Sequence, residues 1–327
     1  MSIKQGIIDC LGECTREVLG KRFRDCDENK EKGLFLELAA RLNEISIDGV
    51  FACSKEIVTP YGTAISSREA SLCMGDSVRT RAFWRGLVQA VRAAMERFPD
   101  EKIRVLYAGT GPFGTLFLPL TQAFEPDDLE LTALEINALS LTNFRKIVET
   151  LGFEEFIGRY VLTDASSYSC EKAPHIVVCE TMDKALTCEP QAAITTNLAP
   201  QLAVGGVLVP EEVRVLVDIY SLNTSTQARV LGTLYNLNKS SRSESGHIEV
   251  RGEFELPVTE LSGSYRPRLC TFIKVFDNEI VATGESLITN PLFLQSFVAG
   301  EEAPKKMRVS YTLGGPRGKI VYEAIRR

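Results

Sequence analysis

The segment from residue 103 to about residue 210 constrains the fold of this chain more than any other feature, because short apolar runs alternate there with helical stretches. Strands separated by crossover helices form a mostly parallel sheet that helices cover on both faces. The expected elements, in chain order, are IRVLYAG, LELTALE, a helix NALSLTNFRKIVETLG, YVLTDA, HIVVCE, a helix from Pro190, and GGVLVP. The centre of the chain is therefore predicted to be an α/β domain.

The two flanks of this segment carry other patterns. Upstream, residues 1 to about 55 and roughly 79 to 98 show a helical spacing of apolar side chains. Downstream of Pro210, short strands alternate with turn residues, which predicts antiparallel β structure in a sandwich or barrel. The expected strands are VRVLVDIY, ARVLGTLYNL, HIEVRGEFELPV, RLCTFIKVF, EIVATGESLI, KMRVSYTLGG and GKIVYEAI. We therefore predict a helical segment, an α/β domain and a β-rich domain, at residues 1–55, 56–210 and 211–327.

Composition and charge argue against several functional classes. The chain has 37 lysines and arginines against 43 aspartates and glutamates, a net charge of −6 without a basic cluster, so nucleic-acid binding is not expected. No apolar run approaches the roughly 20 residues that span a bilayer, and the first residues, MSIKQGIIDCLGECTREVLG, do not resemble a signal peptide. Nine cysteines without a CxxC pair and only two histidines, His175 and His247, predict a cytoplasmic protein with reduced thiols and no metal site.

A glycine-rich turn follows the first strand of the α/β segment. Gly109, Thr110, Gly111 and Gly114 form a G-x-G-x-x-G pattern, and glycines are needed where the backbone passes close to a ligand or takes a positive φ. The pattern by itself fits NAD as well as other nucleotides. The next strand ends in Glu135, about 20 residues further on, where a carboxylate accepts hydrogen bonds from both hydroxyls of a ribose. An adenosine-bearing cofactor is therefore favoured.

Later segments favour S-adenosylmethionine over NAD. A third acidic strand end at Asp164 and the sequence GGVLVP at 205–210 resemble class I methyltransferases. The sequence CETMDKALTCE at 179–189 resembles the double-glutamate loop of protein arginine methyltransferases, and DSVRT at 76–80 resembles the Asp-x-x-Arg-Thr element of that family. The resemblance covers roughly residues 60 to 327, and its motifs lie before residue 210.

The resemblance implies a Rossmann-like class I methyltransferase domain followed by a β-rich barrel, with S-adenosylmethionine as cofactor and S-adenosylhomocysteine as product. Two glutamates would act on the substrate, Glu180 and Glu189. Arg79 would hold the cofactor's carboxylate, and Met182 would pack beside the transferred methyl group as part of a substrate site that also includes Tyr61. The remaining residues expected to bind the cofactor are Gly109, Thr110, Gly111, Gly114, Glu135, Asp164, Ala165 and Ser166.

Elementary chemistry explains why two carboxylates suit this role. A guanidinium ion is a planar fork with five N–H donors, and it stays protonated at any working pH. Two carboxylates can bind both edges of the fork through short charge-assisted hydrogen bonds. Their combined field draws the positive charge away from the attacking nitrogen and holds that nitrogen in line with the methyl group, and such positioning supplies much of the rate enhancement. Glu180 is our first choice for also assisting proton loss.

Two departures from the family pattern bear on the acceptor. The family's Thr-His-Trp motif is missing from the β-rich half, and its amino-terminal aromatic pair is reduced to PYGTA at 60–64. These parts help to seat a peptide arginine, so we expect a small-molecule acceptor, free L-arginine or a close derivative, as in natural-product biosynthesis. Family members often dimerise through an arm that projects from the β half. A homodimer with a short arm within residues 220–246 is therefore an expectation.

Other functions stay open at this point. A protein substrate would fit the same residues, and so would methylation at carbon of a guanidino keto acid that the two glutamates bind. A non-catalytic cofactor-binding partner subunit is a hypothesis of another class, and the retained pair of glutamates argues against it. A Rossmann oxidoreductase is disfavoured because the glycine turn lies behind a long helical segment and no catalytic histidine or Lys/Tyr pair is evident.

Overall fold

The computed structural model describes residues 2–20, 27–222, 229–243, 246–257, 263–298, 303–314 and 320–325. Its helices and strands, in chain order, are α1 (Ile3–Gly20), α2 (Glu28–Ile45), β1 (Ile57–Thr59), β2 (Gly62–Ala64), α3 (Ser67–Leu72), α4 (Ser77–Arg97), β3 (Ile103–Ala108), α5 (Leu120–Ala123), β4 (Leu129–Glu135), α6 (Ala138–Leu151), β5 (Ile157–Leu162), β6 (Ile176–Cys179), α7 (Gln191–Leu198), β7 (Val207–Val209), β8 (Glu212–Ser221), β9 (Arg229–Asn238), β10 (Ile248–Glu255), β11 (Ser264–Phe276), β12 (Glu279–Val281), β13 (Leu292–Phe293), β14 (Phe297–Val298), β15 (Lys306–Leu313) and β16 (Val321–Ile325).

A five-stranded parallel sheet forms the centre of the molecule, as the sequence predicts. Its strand order is β5-β4-β3-β6-β7, and every neighbouring pair in it is parallel. The residues of β6 are all buried, which explains why this strand is an unbroken apolar run. Because β3 has β4 on one side and β6 on the other, the chain order reverses at β3. Ligands of open α/β sheets bind at such a point, outside the carboxyl ends of the strands.

The helices of the α/β part begin and end where local signals place them. Asn137 accepts hydrogen bonds from the backbone of Leu139 and Ser140 at the start of α6, and Gly152 ends that helix in the left-handed conformation. The long helix α4 begins after Asp76, whose side chain caps it. None of the helices in the described ranges is long and apolar enough to cross a membrane.

The amino-terminal helices α1 and α2 pack on α4 and α6 and share one hydrophobic core with them. Phe35 of α2 meets Trp84 of α4 edge to face, with ring centroids 5.1 Å apart. Beside this contact, the guanidinium of Arg81 donates to Glu31 Oε2 at 2.8 Å, and both side chains are buried. A buried pair of this kind fixes the register of two helices because breaking it leaves an uncompensated charge.

The chain after β7 is antiparallel β structure, which also agrees with the sequence prediction. One sheet has the order β12-β11-β8-β9, with β13 and β14 also paired to β11, and a second sheet has the order β10-β15-β16. The predicted strand EIVATGESLI is wrong beyond β12. Gly284 takes a positive φ there, and the Ser286 side chain accepts from the backbone of Ile288 to start a 3-10 turn over Leu287–Thr289.

A dimerisation arm within residues 220–246 stays a prediction, and part of that range is described. Residues 229–238 form β9, which runs back along β8 as an ordinary strand of the sheet. Residues 223–228 and 244–245 lie outside the described ranges.

Candidate active site

A cavity of about 350 Å³ opens at the carboxyl ends of the central strands. Its wall comes from the glycine turn after β3, from the ends of β4, β5 and β6, from α3 and α4, and from the 3-10 turn of the β-rich half. Most of the residues predicted from the sequence for the site line this cavity. They are Arg79, Gly109, Thr110, Gly111, Glu135, Asp164, Ala165, Glu180, Met182 and Glu189.

Three predicted site residues lie behind the cavity wall or beside it. A side chain at Gly114 would clash with the ring of Phe144 on α6, so this glycine serves close packing of the turn on the helix. Ser166 donates to Asp164 Oδ1 from its backbone N (2.9 Å) and from its hydroxyl (2.6 Å) and so orients that carboxylate. The ring of Tyr61 packs against that of His247, with centroids 5.1 Å apart.

The glycine turn and Glu135 form one rigid unit at the cofactor end of the cavity. Gly109 and Gly111 have φ values of 76° and 61°, and a Cβ at Gly109 would collide with Thr181. The backbone N–H groups of Gly111 and Asn137 donate to the two oxygens of Glu135, each at 2.8 Å. Burial raises the pKa of Glu135, and these backbone hydrogen bonds oppose the rise. The carboxylate is thus fixed between the turn and the start of α6.

Arg79 and Glu180 meet in the wall of the same cavity. Arg79 Nη1 lies 3.4 Å from Glu180 Oε2, and Arg79 Nη2 donates to the carbonyl of Cys73 at 2.6 Å. Burial raises the pKa of Glu180, the charge of Arg79 lowers it, and the charge of Asp76 raises it again. Glu180 Oε1 is buried and accepts no hydrogen bond within the described part of the chain. A buried carboxylate oxygen without a donor is costly, so this oxygen is suited to a donor brought by a ligand.

Glu189 adds a second, largely buried carboxyl group to the cavity wall. Burial raises its pKa to about 8, and the negative charges of Glu180 and Asp183 act in the same direction. Two carboxyl groups that disfavour each other's ionisation gain from a cation between them, because the cation stabilises both charged forms. The geometry can therefore hold a cation with several N–H donors.

The loop that carries both glutamates is held from two sides. From within, Asp183 Oδ1 accepts from the backbone N–H groups of Cys188 (2.9 Å) and Glu189 (3.3 Å), and Asp183 Oδ2 accepts from the hydroxyl of Thr187. From the β-rich half, three residues bind the backbone of Ala185 and Leu186, which both take positive φ values. These residues are Thr271, Tyr311 and Gly314, with distances of 2.9, 2.7 and 3.1 Å.

Gln191 is a further positioning residue, which the sequence analysis missed. Its side chain is fully buried at the start of α7, two residues after Glu189. Gln191 Oε1 accepts from the backbone N–H of Thr181 at 2.9 Å, and Gln191 Nε2 donates to the carbonyl of Cys179 at 3.1 Å. The carboxamide thereby joins both neighbours of Glu180 to the segment that carries Glu189, which fixes the spacing of the two acids. A single buried glutamine gives no sequence signal for this role.

Asp76 connects the cavity wall to the β-rich half, and the sequence analysis assigned it no role beyond its motif. Asp76 Oδ1 accepts from the backbone of Arg79 at 3.3 Å. Its other oxygen accepts from the Ser286 hydroxyl at 2.6 Å and from the backbone of Leu287 at 3.0 Å. The position of Asp76 before a helix is a recognisable capping signal. Its partners, however, lie more than 200 residues further along the chain.

The fold is similar to that of solved structures of other proteins. A crystal structure of PRMT6 superposes with a TM-score of 0.53 at 11% identity, over 77% of this chain and 97% of that chain. The Trypanosoma brucei PRMT1 enzyme-prozyme heterotetrameric complex with AdoHcy gives a TM-score of 0.48 at 12% identity, over 77% and 92% of the two chains. No protein-family model and no curated protein matches the sequence. The likeness to PRMT6 confirms the predicted fold class, a Rossmann-like parallel sheet followed by an antiparallel β-rich part.

Proposed function

We propose that this protein is an S-adenosylmethionine-dependent N-methyltransferase that acts on a guanidino group. The observation that carries the proposal is the pair of largely buried carboxyl groups of Glu180 and Glu189 at one cavity, with Glu180 Oε1 fully buried and lacking a donor in the described ranges. A planar cation with N–H groups on both edges supplies the donors and the charge that this arrangement lacks. The fold, shared with PRMT6, agrees with the proposal but does not by itself select a reaction.

The other end of the cavity fits an adenosine-bearing cofactor. Gly109 and Gly111 leave their positive-φ backbone without side chains beside the cavity, and the carboxylate of Glu135 lines the same wall. Asp164 and Ala165 would contact the adenine ring, and Arg79 would pair with the carboxylate of the amino-acid portion. S-adenosylmethionine bound there would supply a methyl group on a sulfonium, a good leaving group. S-adenosylhomocysteine would be the product.

The chain's own residues would do three things in the transfer. Glu180 and Glu189 hold the guanidinium by its two edges and keep one nitrogen free to attack. S-adenosylmethionine, when bound, would supply the methyl group for the new N–C bond and would keep the electron pair of its C–S bond. The methylated nitrogen then loses a proton, for which the carboxylate of Glu180 is the acceptor. Burial favours this last step because it raises the pKa of Glu180.

The acceptor is proposed to be a small guanidine, with free L-arginine or a close derivative as the first to be assayed. The support for it is the absence from the sequence of the Thr-His-Trp motif and of the full aromatic pair that seat a peptide arginine in the resembled family. A protein substrate and a guanidino keto acid methylated at carbon are the competing acceptors. Mass spectrometry of the product distinguishes the three, because each places the added methyl group on a different molecule or atom.

Calorimetry and mass spectrometry together test the proposal. We expect binding of S-adenosylmethionine but not of NAD, followed by the gain of one methyl group on a guanidine from a panel with and without an α-carboxylate. Binding of NAD alone would instead indicate an oxidoreductase. Cofactor binding without turnover on any guanidine or arginine peptide would indicate a non-catalytic partner subunit.

A further inference from the structure

Two exposed leucines form part of the cavity wall. Leu72, at the end of α3, and Leu287, in the 3-10 turn of the β-rich half, are each 69% exposed and both line the cavity. A single exposed leucine on a protein surface needs no explanation. Two such side chains, brought to one cavity from opposite parts of the chain, form an apolar rim (Leu72 and Leu287).

The apolar rim and the two glutamates line the same cavity, and Asp76 and Arg79 link them. The backbone N–H of Leu287 donates to Asp76 at 3.0 Å, and the charge of Asp76 raises the pKa of Glu180. Leu72 precedes Cys73, whose carbonyl accepts from Arg79, the ion-pair partner of Glu180. The charges of both glutamates also act on the Cys73 thiol. The rim and the acid pair thus belong to one cavity wall that these contacts connect.

We propose that the acceptor carries an apolar group beside its guanidine, and that Leu72 and Leu287 bind this group while the two glutamates hold the cation. The inference rests on the proposed function and narrows its acceptor to a close derivative of arginine or another guanidine with an apolar substituent. A ligand with this pattern matches the part of the wall that is acidic at Glu180 and Glu189 and apolar at Leu72 and Leu287, beside the exposed Glu69. Charged groups in place of the substituent would leave both leucines in water and gain nothing from them.

The same contacts would strengthen the binding of the cation. An apolar group laid over Leu72 and Leu287 removes their surface from water, which is favourable in proportion to the area buried. It also excludes water from the ion pairs beneath it, and charge pairs are stronger in a drier environment. Apolar contact at the rim and charge complementarity in the depth would therefore reinforce each other.

A comparison of two guanidines tests the inference. With S-adenosylhomocysteine present, calorimetry measures the Kd values of phenethylguanidine, which has an apolar substituent, and of agmatine, which has a second charged group. We expect phenethylguanidine to bind at least about tenfold more tightly. In the double variant Leu72→Ser/Leu287→Ser this ratio falls to about one, with the agmatine Kd little changed.

Val204→Ser is the matched control, because Val204 is 99% exposed and belongs to the loop before β7 rather than to the cavity. This variant should leave the ratio of the agmatine Kd to the phenethylguanidine Kd unchanged. Equal affinities of the two guanidines for the native protein would overturn the inference, and so would a ratio that survives in the double variant. A native dimer that the double variant dissociates would also overturn it, since a second copy would then cover the rim. Failure of the proposed function differs from all of these, because then no guanidine binds at all.

Discussion

The two ends of the cavity differ in how far along the chain their contacts reach. At the cofactor end, Glu135 is fixed by backbone N–H groups of Gly111 and Asn137, which lie within the same strand-turn-helix region. At the acceptor end, the loop between Glu180 and Glu189 is held by residues such as Thr271 and Tyr311 in the β-rich half. The contacts that hold Glu135 therefore lie within the α/β part, whereas the loop that carries Glu180 and Glu189 is held by both halves of the chain.

The largest expected effect is that of Glu180→Gln, which should reduce turnover without a matching loss of cofactor binding. Glu180→Gln removes one charge and one oxygen from the acceptor end, so turnover should fall by about 10³-fold, the scale seen when a group that stabilises a transition state is removed. Cofactor affinity should change far less, by about threefold or less, because Glu180 lies outside the Glu135 unit and acts on the cofactor site only through its ion pair with Arg79. Calorimetry measures the cofactor Kd, and a methyl-transfer assay measures turnover.

The matched control is Glu171→Gln, because the side chain of Glu171 is 74% exposed. Loss of both properties in Glu180→Gln would show that Glu180 is structural.

Glu135→Ala changes the cofactor site instead, and its effect on cofactor affinity is expected to be the next largest. It removes a carboxylate that two backbone N–H groups hold in place, and with it the expected hydrogen bonds to the ribose. We expect the Kd of S-adenosylmethionine to rise by about 10²-fold, in keeping with loss of hydrogen bonds to a charged group. Methylguanidine should still bind. An unchanged cofactor Kd would mean that this strand end does not face the cofactor.

Gln191→Met tests whether spacing of the two glutamates matters. The substitution keeps the apolar volume but removes the bonds to the backbone of Thr181 and Cys179. Because the carboxylates then lose their fixed separation, kcat should fall by about 30-fold while cofactor Kd is unchanged. Gln191→Glu, which keeps one acceptor oxygen, should recover part of the loss. Equal fold losses of kcat and of cofactor affinity, together with a lower Tm, would show that Gln191 has a merely structural role.

The pH dependence of binding follows from Glu189. Its carboxyl has a pKa of about 8, so at neutral pH it is largely protonated in the protein without substrate. A cation stabilises the ionised form, so binding releases a proton and affinity rises as the pH increases towards 8, by up to about tenfold per unit. Calorimetry of methylguanidine in buffers of different ionisation enthalpy measures the released proton. Glu189→Gln should abolish the release, and a native protein without it would contradict the assignment.

The smallest expected effect addresses the β-rich half directly. Tyr311→Phe removes only the hydroxyl that donates to the carbonyl of Ala185 in the glutamate loop. We expect kcat/KM for the guanidine to fall by about fivefold, the cost of one hydrogen bond, with no change in cofactor Kd. A change in cofactor Kd of similar size would show that the β-rich half supports both ends, and the contrast between them would then fail.

This contrast also explains how much the sequence reveals. Strand β4 spans the predicted segment Leu129–Glu135, and the glycine turn and Glu135 come together as expected, since their contacts are local. The resemblance of residues 179–189 to a double-glutamate loop predicts the acid pair, but nothing in the sequence shows that Gln191 is hydrogen-bonded to both neighbours of Glu180. The contact between Asp76 and Ser286 joins residues that only the folded chain brings together. The 3-10 turn that replaces the end of the predicted strand EIVATGESLI also contacts Asp76, through the backbone N–H of Leu287, and this contact has no sequence signal.

The most direct test of the central claim is a crystal structure of the protein with S-adenosylhomocysteine and phenethylguanidine. The account predicts that the carboxylates of Glu180 and Glu189 bind opposite edges of the guanidinium, with one nitrogen facing the sulfur. Either carboxylate turned to bulk solvent, or a guanidinium bound elsewhere in the cavity, would contradict it.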